Sequence, residues 1–172
     1  GDPLPAEAAA DAVVSLDPAR AASVRMADCV PVLLADCGRR AVAAVHAGWR
    51  GTSAGVVGAA IDALSAAGIP AADLVAAVGP SVGPCCYQVD DRVRNSFLAV
   101  TPDAVAWFAP DGPGHWRLDL RAAVADQLEA AGVPAAAVFQ SGICTADAVD
   151  HCFSYRREGE SAGRMVAAIR IG

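Results

Sequence analysis

VAAVHAGWRGT, at residues 42–52, is the most informative segment of this chain. Its first half is a run of small and β-branched apolar residues, which predicts a strand buried on both faces. The run ends on His46, and a turn from Gly48 to Gly51 then leads into a helix that we expect to be capped by Thr52 or Ser53 and to end near residue 67. Gly48 and Arg50 therefore lie where backbone N–H groups and a guanidinium can bind an anion such as phosphate.

A second strand of the same kind precedes this stretch, DCVPVLLAD at residues 28–36, and here the polar residues stand at its beginning. If the two strands pair antiparallel, Cys29 and His46 reach the same edge of the sheet. A thiolate beside an imidazole is either a pair of zinc ligands or a nucleophile with its base. The residues alone do not separate these two interpretations.

The rest of the chain alternates strand and helix patterns, which predicts an α/β fold with mixed β-sheets flanked by helices, a fold that can also be classed as α+β. The first eleven residues have no periodic pattern and predict an irregular lead-in. Strands are expected at 12–16, 22–26, 30–36, 41–46, 116–118 and 165–171, helices at 53–67, 90–100 and 120–131, and an exposed loop at 101–114.

Two segments share a helix end, a glycine, a proline and a strand, namely 64–75 and 128–139. Each strand runs into a loop that is a candidate for the site, residues 79–86 in the first case and 141–145 in the second. Ser81 lies in the first of these loops, and Arg156 lies near the end of the chain on a further loop, where a guanidinium suits a phosphate.

Composition excludes several classes of partner. The chain has 172 residues, of which 55% are hydrophobic and 19% charged, so it can bury one core, and we expect residues 1–172 to form a single domain. The formal net charge of −6 argues against nucleic acid and against an anionic membrane as partners. No apolar run is long enough to span a bilayer and the start lacks a secretory pattern, which predicts a cytoplasmic protein.

Six cysteines are present, but no pattern in the sequence calls for disulfides. We expect Cys37, Cys86 and Cys152 to be small buried hydrophobic residues.

Five motifs together resemble the laccase-domain family, the YfiH-like group that has been called multicopper polyphenol oxidase and later purine nucleoside phosphorylase. They are ADCVPV at 27–32, HAGWRGT at 46–52, GPSVGPCCY at 79–87, CT at 144–145, and FSYRR at 153–157 followed by GRM at 163–165. The matches extend over nearly the whole chain. Members of the family usually carry a further N-terminal segment with a histidine that is a third metal ligand, and the resemblance therefore predicts that the chain is N-terminally truncated.

The resemblance implies a zinc-dependent enzyme that acts on purine nucleosides, by phosphorolysis of adenosine, inosine or guanosine or by deamination of adenosine. Cys29 and His46 would bind the zinc, and Asp28 and Ser81 would move protons or orient the sugar. Arg50, Arg156 and Gly48 would bind the phosphate or the nucleoside. A purine nucleoside and phosphate would then be the partners of a monomeric protein.

Two alternatives are open at this point. In a metal-free hydrolase, Cys29 would attack the substrate and His46 would act as its base. The older family name implies copper and a polyphenol oxidase, but laccase copper sites use several His-x-His pairs, whereas this chain has three histidines and no such pair.

Overall fold

A computed structural model describes residues 10–172 and contains ten strands and five α-helices in that part of the chain. The strands are β1 (Ala12–Ser15), β2 (Ala22–Met26), β3 (Val30–Asp36), β4 (Val42–Ala47), β5 (Leu74–Val78), β6 (Gln88–Asp90), β7 (Phe108–Pro110), β8 (His115–Leu118), β9 (Val138–Gln140) and β10 (Met165–Ile169). The helices are α1 (Trp49–Ser53), α2 (Val56–Ala66), α3 (Asp91–Leu98), α4 (Leu120–Ala130) and α5 (Tyr155–Glu158). Residues 1–9 of the predicted irregular lead-in lie outside the described residues.

The central sheet has five strands in the order β1-β4-β3-β5-β9. All its neighbours are antiparallel except β5 and β9, which run parallel. Strands β3 and β4 form a hairpin in which Pro31 faces His46 and Val30 faces Ala47, so the antiparallel pairing predicted for them is confirmed. Two smaller sheets, β10-β2 and β6-β8-β7, complete a mixed arrangement that confirms the predicted fold class.

Both faces of the central sheet are covered. On one face, Ala43 and Val45 of β4 belong to the main core, which helices α2 and α4 complete. On the other face, Val42 and Ala44 pack against the two-stranded sheet of β2 and β10. Because successive side chains of a strand point to opposite faces, an unbroken apolar run is what such a strand requires. Each buried valine contributes roughly 1.5–3 kcal/mol, and the apolar strand is thereby fixed in the middle of the fold.

The helix predicted at 53–67 is divided in two, and its predicted cap is wrong. Helix α1 already begins at Trp49 with Gly48 as its N-cap, and Thr52 is a buried residue inside it. Gly55 then adopts φ +83°, a left-handed conformation that ends α1 and lets α2 begin in a new direction. Arg50 is therefore the second residue of a five-residue helix.

The loop predicted at 101–114 is also corrected. Residues 102–107 form a 3₁₀-helix and β7 follows directly. Trp107 and Phe108 are each 6% exposed, and both pack edge-on against the ring of Phe97. The indole N–H of Trp107 donates to Asp126 at 2.6 Å, so a buried aromatic cluster stands where an exposed connection was expected.

The similar segments 64–75 and 128–139 have the same structure, in which a helix ends, a short 3₁₀ turn follows, and a strand begins. The two strands, β5 and β9, are parallel neighbours, with Val78 beside Gln140. Their following loops therefore leave the same edge of the sheet, and a bridge joins Ser81 to Cys144.

In the part of the chain that the structure describes, no helix is long and apolar enough to cross a membrane.

Candidate active site

Cys29 and His46 lie on the same face of the central sheet. The β3–β4 register places Pro31 opposite His46, and continuing it by two residues places Cys29 opposite Gly48. Residues two apart along a strand share a face, so Cys29 and His46 are diagonal neighbours on one side of the hairpin. Both line a recess of about 210 Å³ together with Asp11, Gly48 and Arg50.

Hydrogen bonds fix the orientation of the His46 ring. The Nδ1 atom lies 2.9 Å from Asp11 Oδ1, and the backbone N–H of His46 donates to the Asp11 carbonyl at 2.7 Å. Hydrogen bonding to Cys29 raises the pKa of His46 to about 9, against the opposing effect of burial and with a further contribution from Asp11. With Nδ1 engaged by a carboxylate, Nε2 is the nitrogen that can bind a metal or take a proton.

Gly48 allows the Cys29 thiol to approach the backbone closely. A Cβ atom at position 48 would lie 3.0 Å from Cys29 Sγ and 3.7 Å from Cε1 of His46. Any side chain here would press on the sulfur atom, which explains a glycine at the end of β4.

The donor set around this recess fits a zinc ion. Thiolate sulfur and imidazole nitrogen are ligands that zinc prefers, and the Asp11 carboxylate orients the imidazole as carboxylates do in zinc proteins. Cys29 and His46 would supply two of the four ligands that a zinc ion usually has.

A second cavity, of about 300 Å³, shares Cys29, Trp49 and Arg50 with the first. Arg156 lies in its wall, so the two predicted arginines come together although they are far apart in the chain. The guanidinium of Arg50 stacks over Trp49 at 4.5 Å and that of Arg156 stacks over Tyr87 at 5.1 Å. This cavity thus combines two guanidinium groups, each stacked on an aromatic ring, with aromatic surfaces in its wall.

Tyr87 keeps its proton at neutral pH. Burial, aided by the nearby Cys29 and Asp28 and opposed by Arg156, raises the pKa of its hydroxyl to about 12. Its phenol is therefore a hydrogen-bond donor in the wall of the cavity.

Asp28 is only 8% exposed and both of its carboxylate oxygens accept hydrogen bonds from the protein. Thr145 Oγ1 donates to one oxygen and the backbone N–H of Arg156 donates to the other, each at 2.5 Å. The residue also has φ +83°, and its carbonyl accepts from the N–H of Val82. Asp28 thus joins three separate segments at the cavity wall.

Two further residues of the predicted motifs, Ser81 and Arg157, are held inside the protein or by its backbone and do not line the cavity. Ser81 is fully buried, and its Oγ has no hydrogen-bond partner among the described residues. Arg157, the second arginine of the FSYRR motif, donates to the carbonyls of Thr145, Ala146 and Cys152 and pairs with Glu158. Its guanidinium holds the loop that precedes it, whereas that of Arg156 lies in the cavity wall.

The sequence missed several residues of the site. The sequence pattern predicts that Asp11 belongs to an irregular lead-in, and only the β1–β4 register, in which Ala12 faces Val45, places it beside His46. Cys37 and Cys86 were expected to be buried, but Cys37 is exposed, and Cys86 is half-buried, with its thiol donating to Asp147 at 3.1 Å. Cys152 is likewise half-buried where full burial was expected. Cys85, Cys86, Cys144 and Asp147 form a cluster whose ligand atoms all lie within 4.8 Å of one another and can hold a metal ion.

Comparison with known proteins gives consistent matches. The family model described as multi-copper polyphenol oxidoreductase laccase matches residues 2–172. A purine nucleoside phosphorylase of Streptomyces coelicolor is 44% identical over 92% of this chain and 63% of the relative. A protein named adenosine deaminase from an unknown prokaryotic organism is 38% identical over 85% of this chain and 56% of the relative.

Solved structures agree with these matches. The crystal structure of the hypothetical protein YfiH from Bacillus licheniformis superposes with a TM-score of 0.91 at 33% identity, and the match covers 95% of this chain and 62% of that one. The chain thus spans between about half and two thirds of the length of the proteins that it matches.

Proposed function

The chain belongs to the multi-copper polyphenol oxidoreductase laccase family, and on that premise we propose that it carries most of the active site of a zinc-dependent enzyme that processes purine nucleosides. Phosphorolysis of adenosine, inosine or guanosine is the proposed main reaction. Similarity to proteins named purine nucleoside phosphorylase supports it.

The observation that carries the proposal is the cavity between the two arginines. Cys29, Arg50 and Arg156 line a single space of about 300 Å³, together with Trp49 and Tyr87. Guanidinium groups suit phosphate oxygens, and aromatic rings suit the flat face of a purine. A mostly preformed cavity with a few convergent polar groups is typical of a small-molecule site.

In phosphorolysis, phosphate attacks the anomeric carbon of the ribose while the base leaves. Arg50 and Arg156 would hold the phosphate beside a carbon that becomes positively charged, and this fixed position supplies much of the catalysis. The protonated hydroxyl of Tyr87 would donate a hydrogen bond to the bound nucleoside or phosphate. A zinc ion held by Cys29 and His46 would supply Lewis acidity and an activated water.

Asp28, Gly48 and Ser81 would support the reaction without touching the reacting atoms. Asp28 would act by positioning, since both of its oxygens are engaged by Thr145 and Arg156. Gly48 would leave room for Cys29 and for an anion near Arg50. The proton-transfer or sugar-orienting role of Ser81 stays a prediction, and its complete burial argues for an indirect effect.

Deamination of adenosine is the second candidate, because one relative is named adenosine deaminase. It would use an activated water and would need no phosphate. The hydrogen bonding between Cys29 and His46 also suits a metal-free hydrolase in which the thiolate attacks. Removal of the metal separates these chemistries, since a Cys–His nucleophile would work without it. For copper, a redox assay with a phenolic substrate is the corresponding test.

The experiment compares Arg50→Ala with Arg25→Ala, which removes the same charge from an exposed position on β2. Loss of one charge-assisted contact costs about 1.5–3 kcal/mol, so Arg50→Ala should raise the KM for phosphate roughly tenfold to hundredfold. Deamination should change less, and Arg25→Ala should match the wild type. Equal losses in phosphorolysis and deamination would mean that Arg50 holds the fold or the nucleoside instead of phosphate.

A purine nucleoside and phosphate are the proposed partners. The absence of nucleic-acid or membrane partners, the monomeric state, the cytoplasmic location and the single domain over residues 1–172 stay predictions.

A further inference from the structure

A cluster of cysteines on the loops that follow β5 and β9 points to a metal site that is separate from Cys29 and His46. We propose that Cys85, Cys86, Cys144 and Asp147 bind one zinc ion, and that this ion fastens the loop after β9 to the loop after β5, which contributes Val82 and Tyr87 to the wall of the nucleoside cavity. The site would be structural, because its four protein ligands would complete the usual coordination of zinc.

The fold brings the four residues together from two loops. Cys85 and Cys86 follow β5, whereas Cys144 and Asp147 follow β9. Since β5 and β9 are parallel neighbours, their loops leave the same edge of the sheet, and the Ser81–Cys144 bridge keeps them side by side. The four side chains therefore meet through the sheet order and not by sequence proximity.

The distances suit zinc. All four ligand atoms lie within 4.8 Å of one another. Sulfur atoms that share a tetrahedral zinc ion at about 2.3 Å lie about 3.8 Å apart. The side chains need to close by about an ångström, which rotation about their χ1 angles provides.

The hydrogen bonds of the cluster mark the place of a cation. The thiols of Cys85 and Cys86 donate to separate oxygens of the Asp147 carboxylate, at 3.2 and 3.1 Å. Two donors thus turn toward one anionic group in the centre of the cluster. A zinc ion would replace these two protons and would bind the same sulfur and oxygen atoms.

The surroundings of Cys144 favour a thiolate. Its Sγ accepts from the backbone N–H of Gly83 at 3.3 Å. Backbone N–H groups that point at a sulfur atom are the outer contacts that stabilise metal-bound thiolates.

An arginine lies beside the cluster and can balance its negative charge. A Cβ atom placed on Gly83 would lie 2.8 Å from Nη2 of Arg121 and 3.3 Å from Sγ of Cys85, so the guanidinium and the sulfur border the same small space. The other terminal nitrogen of Arg121, Nη1, is buried without a hydrogen-bond partner among the described residues. Three thiolates and a carboxylate around a divalent ion leave a net negative charge, which this guanidinium would offset.

Soft thiolate ligands select zinc or copper(I), and the oxygen of Asp147 favours zinc. The site also has a clear effect on the cavity, because Val82 and Tyr87 in the cavity wall lie on either side of Cys85 and Cys86 in the same loop. Fixing the two cysteines would hold Tyr87 in place under Arg156.

The test measures metal binding to the reduced protein after removal of all metal with a chelator. Cobalt(II) and then zinc(II) are titrated into the wild type, into Cys86→Ser/Cys144→Ser, and into the control Cys37→Ser/Cys152→Ser, which loses two thiols outside the cluster. The wild type and the control should bind one equivalent more than the cluster variant and show stronger thiolate-to-cobalt charge-transfer absorption. Equal metal content and spectra in both double variants would overturn the proposal.

A second measurement needs no variant and so does not depend on how a variant folds. Zinc should slow the alkylation of cysteines 85, 86 and 144 in the wild type by at least about tenfold, because a bound thiolate is a poor nucleophile. Alkylation of the exposed Cys37 should not change. Unchanged rates at the three cluster cysteines, or a disulfide among them that forms equally fast with zinc present, would refute the site.

Discussion

Replacement of Asp28 by asparagine tests the link between the buried carboxylate and the phosphate cavity. Asparagine keeps the shape and tolerates the φ of +83° at this position. It removes the charge and one of the two acceptors: the amide oxygen can still accept from the N–H of Arg156, whereas the bond with Thr145 Oγ1 must reverse so that the new NH2 group donates to the hydroxyl. A charged bond contributes about 1.5–3 kcal/mol and a neutral one about 0.5–1.5 kcal/mol, so the free energy of unfolding should fall by roughly 1–3 kcal/mol.

Urea denaturation measures this loss as a lower midpoint at unchanged slope. The matched variant Thr145→Val also weakens the network, but it keeps the bond between Asp28 and the N–H of Arg156. We therefore expect Asp28→Asn to raise the KM for phosphate severalfold and Thr145→Val to leave it near the wild-type value.

Either of two results would contradict this link between Asp28 and the phosphate cavity. One is an Asp28→Asn protein whose stability lies within about 0.5 kcal/mol of the wild type, which is the range of ordinary surface substitutions. The other is an equal rise in the phosphate KM of both variants, which would show that Asp28 does not act through Arg156.

Three further predictions follow from the same structure. The raised pKa of His46, about 9, means that zinc must displace a proton from the ring at neutral pH. Zinc affinity, measured by competition with a chelator, should therefore rise as pH increases from about 7 to 9. In the metal-free protein, the stabilisation from protonated His46 is complete below about pH 6.5 and is lost as pH rises through about 9. Gly48→Ala should weaken zinc binding by about tenfold or more and leave the fold intact by circular dichroism, because its Cβ would lie 3.0 Å from Cys29 Sγ. The guanidinium of Arg40 holds the pKa of the Asp36 carboxyl well below its usual range. This ion pair therefore stabilises the fold above about pH 4, and its contribution is lost as pH falls further. Arg40→Gln should flatten that part of the curve of unfolding free energy against pH.

Local signals were sufficient for most of the elements. Helix α4 begins after Asp119, whose carboxylate accepts from the N–H of Ala122, and α3 begins after Asp90 in the same way, as the capping residues predicted. The apolar run of β4 predicted burial on both faces, and both faces are covered. These features depend on residues within one or two turns of each other, so the sequence carries them directly.

The sequence predicts the structure less accurately where two local patterns point to different conformations. The segment from 49 to 67 has helical composition throughout, and the positive φ of Gly55 interrupts it. The glycines and prolines around residues 110–114 predicted exposure, but the aromatic rings of Trp107 and Phe108 find a buried partner in Phe97, whose position in the fold their own segment does not encode.

Sequence patterns are enough to predict that Cys29 and His46 lie at the ends of two buried strands and that Arg50 follows a glycine-containing turn. Three features depend on the way the chain folds: Asp11 orients His46, Arg50 and Arg156 share one cavity, and a cluster forms from Cys85, Cys86, Cys144 and Asp147. The reason is strand register and sheet order: a shift of one residue in β3 against β4 would turn Cys29 to the other face, and any other neighbour for β5 would separate the two loops. Pairing between distant strands is set by how the whole apolar surface is buried, and no local pattern specifies it.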